Sequence, residues 1–382
     1  MKFYEDLVLQ ARKHEHLVPG DYYLCERKPD ATTVLLLDGV GSGVYANIAA
    51  IACGSRLMEL MDGGRSLQAA CGHVAESMHR ARTEEIPFAA FVALRIQSNG
   101  QFTCYAYENP GPVLIHDHTA TACPQRFIAL KYEMIAESTG TLSEGDRLLL
   151  MSDGVTHAGM GGGYATGWGT EGVVGEINAY LRAGRDALKL PGHLLHMAYT
   201  LSGKVYWDDT SLAMVTCRPA KALTLLTGPP ASRADDARAV RLFLESPGKK
   251  VICGSTTTEI ASRELKRPAK MASMDISPGS PPEYIMEGID LITEGAVTLN
   301  QAMNLLEESD EIDFSQSDSP VFKLCALLLE ADAIAFLVGG GYNQGHDDPL
   351  FQQLGVKPRR RVVRRLAEFL KAKGKEVSVR RL

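Results

Sequence analysis

An aspartate between an apolar run and a glycine-rich segment is the first feature of this sequence that could do chemistry. Asp38 lies in TVLLLDGVGSG, residues 33–43, where three glycines alternate with other residues. A dinucleotide-binding fingerprint needs G-x-G-x-x-G, and Val44 occupies the place of the third glycine. The P-loop is excluded as well, because no Lys-Ser or Lys-Thr pair follows. The carboxylate therefore ends a strand, where it either caps a turn or binds a cation.

Three further segments place aspartates beside strand-like apolar runs. They are Asp21 in VPGDYYL, Asp153 in RLLLMSDGVTHAG, and the pair Asp208 and Asp209 in YWDDTSLAMV. If neighbouring strand ends bring these acids together, their repulsion raises their pKa values unless a cation neutralises them. Magnesium or manganese would suit such a site, because its ligands are all oxygens. The other interpretation is that each aspartate caps a turn.

The composition predicts a protein of about two domains. The chain has 382 residues, of which 45% are hydrophobic, and a net charge of −6, so nucleic-acid or membrane binding is not expected. The basic segment 357–375 is interpreted as a solvated helix face. The eight cysteines contain no CxxC pair, which predicts reduced thiols. Without a signal-peptide or membrane-spanning pattern, a cytoplasmic protein is expected.

The pattern of strands and helices divides the chain into two predicted domains, residues 1–218 and 222–382. In the first, the strands are grouped as hairpins and the helices lie elsewhere, which predicts an α+β layered fold. In the second, strands alternate regularly with helices, which predicts a smaller α/β domain. The acidic, serine-rich residues 308–320 are predicted to form an exposed loop.

Two polar segments of the second domain follow predicted strands. Residues 254–258, of sequence GSTTT, lie between a strand and a helix, where helix N-terminal amides could hold an anion. Asn343, His346 and Asp347 lie in a glycine-rich loop after a later strand. Such loops line the ligand crevice of open α/β sheets, so a small ligand is one interpretation. Ordinary helix caps and turns are the other.

Four segments of the first domain together resemble one known family. GDYY, DGVGSG, EGDRLLLMSDGVT and DDTSLAMV, in this order, resemble the PPM class of metal-dependent protein serine/threonine phosphatases, and within it the stage II sporulation protein E type. The resemblance covers about residues 1–218 and implies an α-β-β-α sandwich with two divalent metal ions, Mn²⁺ or Mg²⁺. It also implies a phosphorylated protein substrate, such as an anti-anti-sigma-like partner. The second domain resembles no family known to us, and a sensing or docking role is expected for it.

The resemblance also implies roles for individual residues. The expected metal ligands are Asp21, Asp38, Gly39 through its carbonyl, Asp153 and Asp208. Asp38 would bridge the two metals, and Asp38 and Asp153 are the expected catalytic residues. Asp209 matches a neighbouring Asp or Asn of the family and is less securely placed as a ligand.

The sequence departs from many relatives in ways that leave some roles open. Val40 replaces a proton-donating histidine that the sporulation branch also lacks, so the general acid is unassigned. His157 either takes part in proton transfer or is an exposed loop histidine. Arg12 is the candidate for a phosphate-binding arginine. Residues 44–61 either form a conformational switch or an ordinary packed helix, and the second interpretation is favoured.

Other functions stay open as well. The first domain could be a non-catalytic binding protein built on the phosphatase scaffold. It could also hydrolyse a small phosphorylated metabolite, because a metal centre recognises phosphate and not the group that bears it. The sequence leaves a homodimer open too.

Overall fold

The computed structural model describes residues 1–13, 18–41, 43–84, 86–272, 281–308, 313–314, 317–341 and 356–382. The chain divides into two compact units. The first comprises Met1–Glu26 and Asp30–Pro219, and the second comprises Arg27–Pro29 and Ala220–Leu382. Among the described helices, none combines the length and the apolar character needed to cross a membrane.

Two sheets form the centre of the first unit. In spatial order, the first sheet contains β1 (Lys2–Ala11), β11 (Thr210–Pro219), β10 (Arg147–Met151), β6 (Val113–His116) and β7 (Thr119–Ala122). The second sheet contains β2 (Tyr22–Arg27), β3 (Ala31–Gly39), β4 (Ala89–Gln97), β5 (Gln101–Tyr107), β9 (Met134–Thr141) and β8 (Arg126–Ala129).

A pair of helices packs on the outer face of each sheet. Helices α1 (Gly43–Asp62) and α2 (Leu67–Thr83) pack on the second sheet. Helices α4 (Gly169–Arg182) and α5 (Leu190–Leu201) pack on the first. The short helix α3 (Asp153–Thr156) follows β10, and a 3-10 helix (Ala187–Lys189) precedes α5. These four layers confirm the predicted α+β fold and its α-β-β-α sandwich.

The surroundings of β3 explain why residues 34–37 are all apolar and do not alternate with polar residues. Val34 and Leu36 point into the core between the two sheets, and Leu35 and Leu37 point into the core beneath α1 and α2. All four are fully buried, because helices cover one face of the strand and a sheet covers the other. The apolar run thereby carries Asp38 to the end of a rigid central strand.

Small residues let α1 lie close to β3. A Cβ atom added at Gly54 would lie 3.2 Å from Cδ1 of Leu37, and Ala46, Ala49 and Ala50 are buried on the same helix. This packing matches the interpretation of residues 44–61 as an ordinary helix, and a switch stays a prediction.

The second unit contains one sheet of seven strands. In spatial order these are β14 (Lys270–Met271), β15 (Glu283–Ile285), β16 (Leu291–Thr293), β13 (Lys249–Cys253), β12 (Ala222–Thr227), β17 (Ala333–Val338) and β18 (Glu376–Arg381). Its described helices are α6 (Asp236–Glu245), α7 (Ser255–Leu265), α8 (Ala296–Glu308), α9 (Pro320–Glu330) and α10 (Arg359–Ala372), with a 3-10 helix (Arg233–Asp235) before α6.

Helices cover both faces of this sheet. One core lies against α8, α9 and α10, and the other against α6 and α7. The five strands from β16 to β18 are parallel, and β14 and β15 are antiparallel at the edge. The strand order reverses between β12 and β17, so the sheet is a doubly wound α/β sheet. The predicted α/β fold of this part is confirmed.

Several details differ from the sequence-based expectations. Helices α4, α5 and α9 were not predicted. Phe314, in the predicted exposed loop 308–320, is buried in a hydrophobic core. Arg359, in the predicted solvated basic face, is only 9% exposed.

The eight cysteines are free thiols, and all except Cys25 are buried.

Candidate metal centre

The ends of both sheets bring the predicted aspartates to one place. Asp38 is the penultimate residue of β3, and Asp21 immediately precedes β2, the neighbour of β3 in the sheet. In the other sheet, Met151 at the end of β10 pairs with Leu212 near the start of β11. This antiparallel register places Asp153, two residues after β10, beside the residues that precede β11.

The carboxylates lie close enough to perturb one another. Burial, followed by repulsion from Asp21 and Asp153, raises the pKa of Asp38 to about 10. Burial is also the main cause that raises the pKa of Asp21 to about 7, and nearby Asp209 and Asp153 add to it. The pKa of Asp208 is raised by burial and by Asp153, although Lys13 opposes this. The structure therefore brings Asp21, Asp38, Asp153 and Asp208 into one electrostatic cluster.

Some of these oxygens are buried without a hydrogen bond. Neither carboxylate oxygen of Asp21 accepts a well-formed hydrogen bond from any described residue, and the same holds for Oδ1 of Asp153. The hydroxyls of Ser211 and Ser152 lie near enough to lower the pKa of Asp21, but burial outweighs them. Buried anionic oxygens without partners are costly, so they are natural positions for cation ligands.

Asp208 and Asp209 have different surroundings. The side chain of Asp209 is 4% exposed, and its oxygens accept hydrogen bonds from the backbone amides of Lys13 at 2.8 Å and Gly20 at 2.6 Å. It thereby fixes the segment before Asp21. Asp208 is half-exposed, with Oδ1 3.6 Å from Nζ of Lys13. Asp209 is thus engaged by backbone amides, and Asp208 is the more accessible of the two.

The glycines beside the aspartates are required by close packing. A Cβ at Gly39 would lie 1.9 Å from the carbonyl oxygen of Ala46 in α1. A Cβ at Gly154 would lie 2.3 Å from the carbonyl oxygen of Asp209. The glycines of both DG motifs therefore let backbone segments approach closely enough to hold the carboxylates together. The carbonyl of Gly39 also faces this region, since its oxygen would lie 3.2 Å from a Cβ at Gly20.

Of the remaining predicted residues, His157 lies beside this cluster. His157 follows α3, is half-exposed, and has Nδ1 3.4 Å from Oδ2 of Asp153. Arg12 is exposed, and no interaction with another described residue places it in the site. The neighbouring Lys13 lies beside Asp208, and this proximity was not predicted. The register of β1 with β11 explains it, because Ala11 pairs with Thr210 and the same offset sets residue 13 against residue 208.

Whether the cluster fits a metal ion can be tested on these observations. In the described part of the chain, no group of three or more His, Cys, Asp or Glu side chains is already arranged to hold one. Asp153 and Asp208 each turn an oxygen toward a neighbouring basic side chain, His157 and Lys13. However, an all-oxygen donor set, unpartnered buried oxygens and mutual repulsion are the chemistry that hard divalent cations neutralise. We conclude that the residues fit such ions.

The polar segments predicted in the second unit are only partly described. At residues 254–258, the hydroxyl of Thr257 accepts a hydrogen bond from the amide of Gly228 at 2.8 Å, and that of Thr258 donates to the carbonyl of Gly254 at 2.9 Å. These hydroxyls therefore stabilise the start of α7. The other predicted residues lie outside the described residues: Asn343, His346 and Asp347.

The first unit is thus an α-β-β-α sandwich with aspartates gathered at strand ends of both sheets, which is the fold that the resemblance to the PPM class of phosphatases predicted. The chain belongs to the stage II sporulation protein E family, whose model matches residues 28–218, half of the chain. The predicted resemblance is thereby confirmed. None of the curated proteins with which the chain was compared matches it.

Several solved structures are similar to the chain. The RsbU and RsbW domains of a Mycobacterium tuberculosis protein are 18% identical, with 63% of this chain and 68% of that chain covered and a TM-score of 0.45. The phosphatase domain of SpoIIE from Bacillus subtilis is 15% identical, with 57% and 93% covered and a TM-score of 0.44. RsbX in complex with magnesium is 19% identical, with 57% and 100% covered and a TM-score of 0.40.

Proposed function

We propose that the first unit is a metal-dependent phosphatase that hydrolyses phosphoserine or phosphothreonine on a partner protein. The observation that supports this proposal is the convergence of Asp21, Asp38, Asp153 and Asp208. The pKa values of Asp21, Asp38 and Asp208 are raised, and buried oxygens of Asp21 and Asp153 have no hydrogen-bond partner among the described residues. A fold without a bound cation pays a free-energy penalty for this crowding. Membership of the stage II sporulation protein E family supports the phosphatase reaction.

The roles that we propose follow the positions of the residues. The side chains that would hold two divalent cations, Mn²⁺ or Mg²⁺, together with the carbonyl of Gly39, are Asp21, Asp38, Asp153 and Asp208. When bound, such ions would ionise a water molecule and neutralise phosphoryl oxygens. Asp209 positions the segment before Asp21 through backbone amides. Lys13 supplies a positive charge beside Asp208.

The substrate that we propose is a phosphorylated cytoplasmic protein of the anti-anti-sigma type. Family membership supports a protein substrate, and the acidic net charge of −6 gives no reason to expect nucleic acid. We propose that the second unit senses a ligand or docks the partner, since its doubly wound sheet has the strand order that places ligand crevices at the carboxyl ends of its strands.

One observation favours a second candidate function, a non-catalytic binding protein on the same scaffold. No group of three or more potential ligands among the described residues is arranged to hold a metal ion. We favour the enzyme because a scaffold without a cation would gain nothing from the unpartnered oxygens of Asp21.

Turnover of para-nitrophenyl phosphate by the full chain distinguishes the two candidates. We expect turnover with Mn²⁺ or Mg²⁺ that a chelator abolishes and that falls more than about 100-fold in Asp38→Asn and in Asp153→Asn. The matched control is Asp117→Asn, since the side chain of Asp117 is 90% exposed and lies in a turn. Wild-type protein that is inactive with every cation, or variants that keep full activity, would contradict the enzyme.

A further inference from the structure

Helix α1 carries an apolar surface that faces solvent. Val44, Tyr45, Ile48 and Ile51 are 57%, 77%, 57% and 39% exposed, and we call these four side chains the α1 face. Residues three and four positions apart share one side of a helix, so the four side chains are neighbours. Helix α1 contains no charged residue before Arg56. The α1 face is therefore a continuous apolar patch on the N-terminal half of the helix.

Such a patch is unusual, because the solvent side of a helix that packs on a core is normally polar or charged. Helix α10 shows the usual arrangement, since Arg360, Arg364 and Lys371 are among its exposed residues. Single exposed apolar residues are common, but a contiguous apolar patch of about 300–600 Å² on a single chain often has a function. The α1 face is therefore a candidate binding surface.

The α1 face begins beside the candidate metal centre. On the inner side of the same helix, Ala46 packs so closely on the glycine after Asp38 that a Cβ on this glycine would lie 1.9 Å from the carbonyl oxygen of Ala46. Asn47 donates a hydrogen bond through Nδ2 to the carbonyl of Pro19 at 2.9 Å, two residues before Asp21. The turn that carries the first residues of the α1 face therefore contacts both segments that position the aspartates of the second sheet.

The position and the size of the α1 face together favour one occupant. A protein whose phosphorylated residue reaches Asp38 brings its own surface next to the adjoining turn of α1. A stable dimer buries about 800 Å² on each partner, which four partly exposed side chains cannot supply. Small interfaces are typical of transient encounters, and a substrate has to leave after its phosphate is removed. The α1 face therefore fits a transient protein partner better than a second copy of this chain.

We propose that the α1 face is a docking surface for the phosphorylated partner protein. Tyr45 and Ile48 contact an apolar patch of the partner beside its phosphorylated residue, and Ile51 extends this contact along the helix. This inference rests on the proposed function and deepens it, because it identifies a surface that recognises a protein and not a small phosphorylated metabolite. The α1 face binds the partner and takes no part in the chemical step.

The test compares two substrates of the full chain with Mn²⁺. One is a phosphoserine-bearing anti-anti-sigma protein, and the other is para-nitrophenyl phosphate, which has no protein surface to dock. We expect Tyr45→Ala combined with Ile48→Ala to lower kcat/KM for the phosphoprotein about 10-fold, mainly through KM, because these residues contribute only to binding. The kcat/KM for para-nitrophenyl phosphate should stay at the wild-type value, since both side chains are exposed and their loss leaves the fold intact.

The matched control is Ile285→Ala, a 61% exposed apolar residue of the second unit, which should leave both substrates at the wild-type values. Unchanged kcat/KM for the phosphoprotein in the double variant would overturn this inference alone. Equal losses with both substrates would also overturn it, because α1 would then act on the metal centre and not on the partner. A wild-type dimer that the double variant dissociates in sedimentation would assign the α1 face to a second copy and overturn the docking role.

The wild-type protein separates this inference from the function on which it rests. Turnover of para-nitrophenyl phosphate without turnover of the phosphoprotein would overturn both the inference and the proposed partner, but not the metal-dependent reaction. Wild-type protein without any turnover would overturn the proposed function, and this inference with it.

Discussion

Replacement of Asp21 by asparagine tests whether the aspartate cluster is destabilising without a cation. The side chain of Asp21 is 2% exposed, and its oxygens have no hydrogen-bond partner among the described residues. Burial and the neighbouring acids raise its pKa from 3.8 to about 7. A carboxyl group whose pKa is raised on folding stabilises the folded state only while it is protonated. The stability of the cation-free protein should therefore fall as pH rises from about 4 through about 7.

The size of the expected change in the free energy of unfolding follows from the two pKa values of Asp21. The difference between 3.8 and about 7 is about 3 pH units, which corresponds to about 4 kcal/mol at about 1.4 kcal/mol per unit. Asparagine carries no charge, so its contribution does not change over this range. At about pH 8 without divalent cations, we expect Asp21→Asn to be more stable than the wild type by as much as about 4 kcal/mol. With Mn²⁺ the wild type should gain more stability than the variant, because the variant lacks one carboxylate ligand.

Urea unfolding followed by tryptophan fluorescence reports the stability of the first unit, which contains Asp21. The chain contains two tryptophans, Trp168 and Trp207, and both lie in the first unit. Unfolding curves would be recorded with a chelator and with Mn²⁺ between about pH 4 and about pH 8. Asp117→Asn is the control for loss of an exposed carboxylate. A variant that is less stable than the wild type without cations at every pH would refute the reasoning.

Of three Gly→Ala substitutions, we expect two to lower the stability of the protein and one to raise it. Gly39→Ala should destabilise the first unit by about 3 kcal/mol or more, measured by urea unfolding, because the new Cβ would lie 1.9 Å from the carbonyl oxygen of Ala46. Gly228→Ala should destabilise the second unit by about 1–2 kcal/mol, measured by hydrogen exchange, since φ is +82° and Nη1 of Arg359, 1.4 Å from the new Cβ, is the end of a flexible side chain that can move. Gly175→Ala, inside α4 with no atom within 4 Å of the new Cβ, should raise stability by up to about 1 kcal/mol. Tolerance of the first two substitutions, or a clear loss from the third, would contradict the packing.

The strands and the second unit could be predicted because their sequence patterns agree with their surroundings. The apolar run of β3 has both faces buried, and the alternation after residue 222 corresponds to a doubly wound sheet. Helix α4 could not be predicted in this way. It contains three glycines, which disfavour a helix, and burial of Val173, Ile177 and Leu181 against the first sheet overrides that preference.

The aspartates of the candidate site could be predicted from the sequence, but the contacts that hold them in place could not. An aspartate next to an apolar, strand-like run can be recognised in a sequence. The proximity of Lys13 to Asp208 depends on the register of β1 with β11, which the sequence does not reveal. The lack of hydrogen-bond partners at the oxygens of Asp21 is visible only in three dimensions, because it depends on which described residues surround this side chain.

Asp208 and Asp209, the two residues before β11, are chemically identical and have different surroundings. Both carboxylates lie near Lys13, but they contact different atoms of it: Nζ is 3.6 Å from Oδ1 of Asp208, and the backbone amide donates a hydrogen bond to Oδ1 of Asp209. Asp209 is buried and its oxygens are occupied by backbone amides, which restrain the chain just before Asp21. Only Asp208 keeps an accessible carboxylate next to Asp153. The proposed ligand role of Asp208 therefore depends on Asp209, because loss of the buried partner would release both the strand end and the segment that carries Asp21.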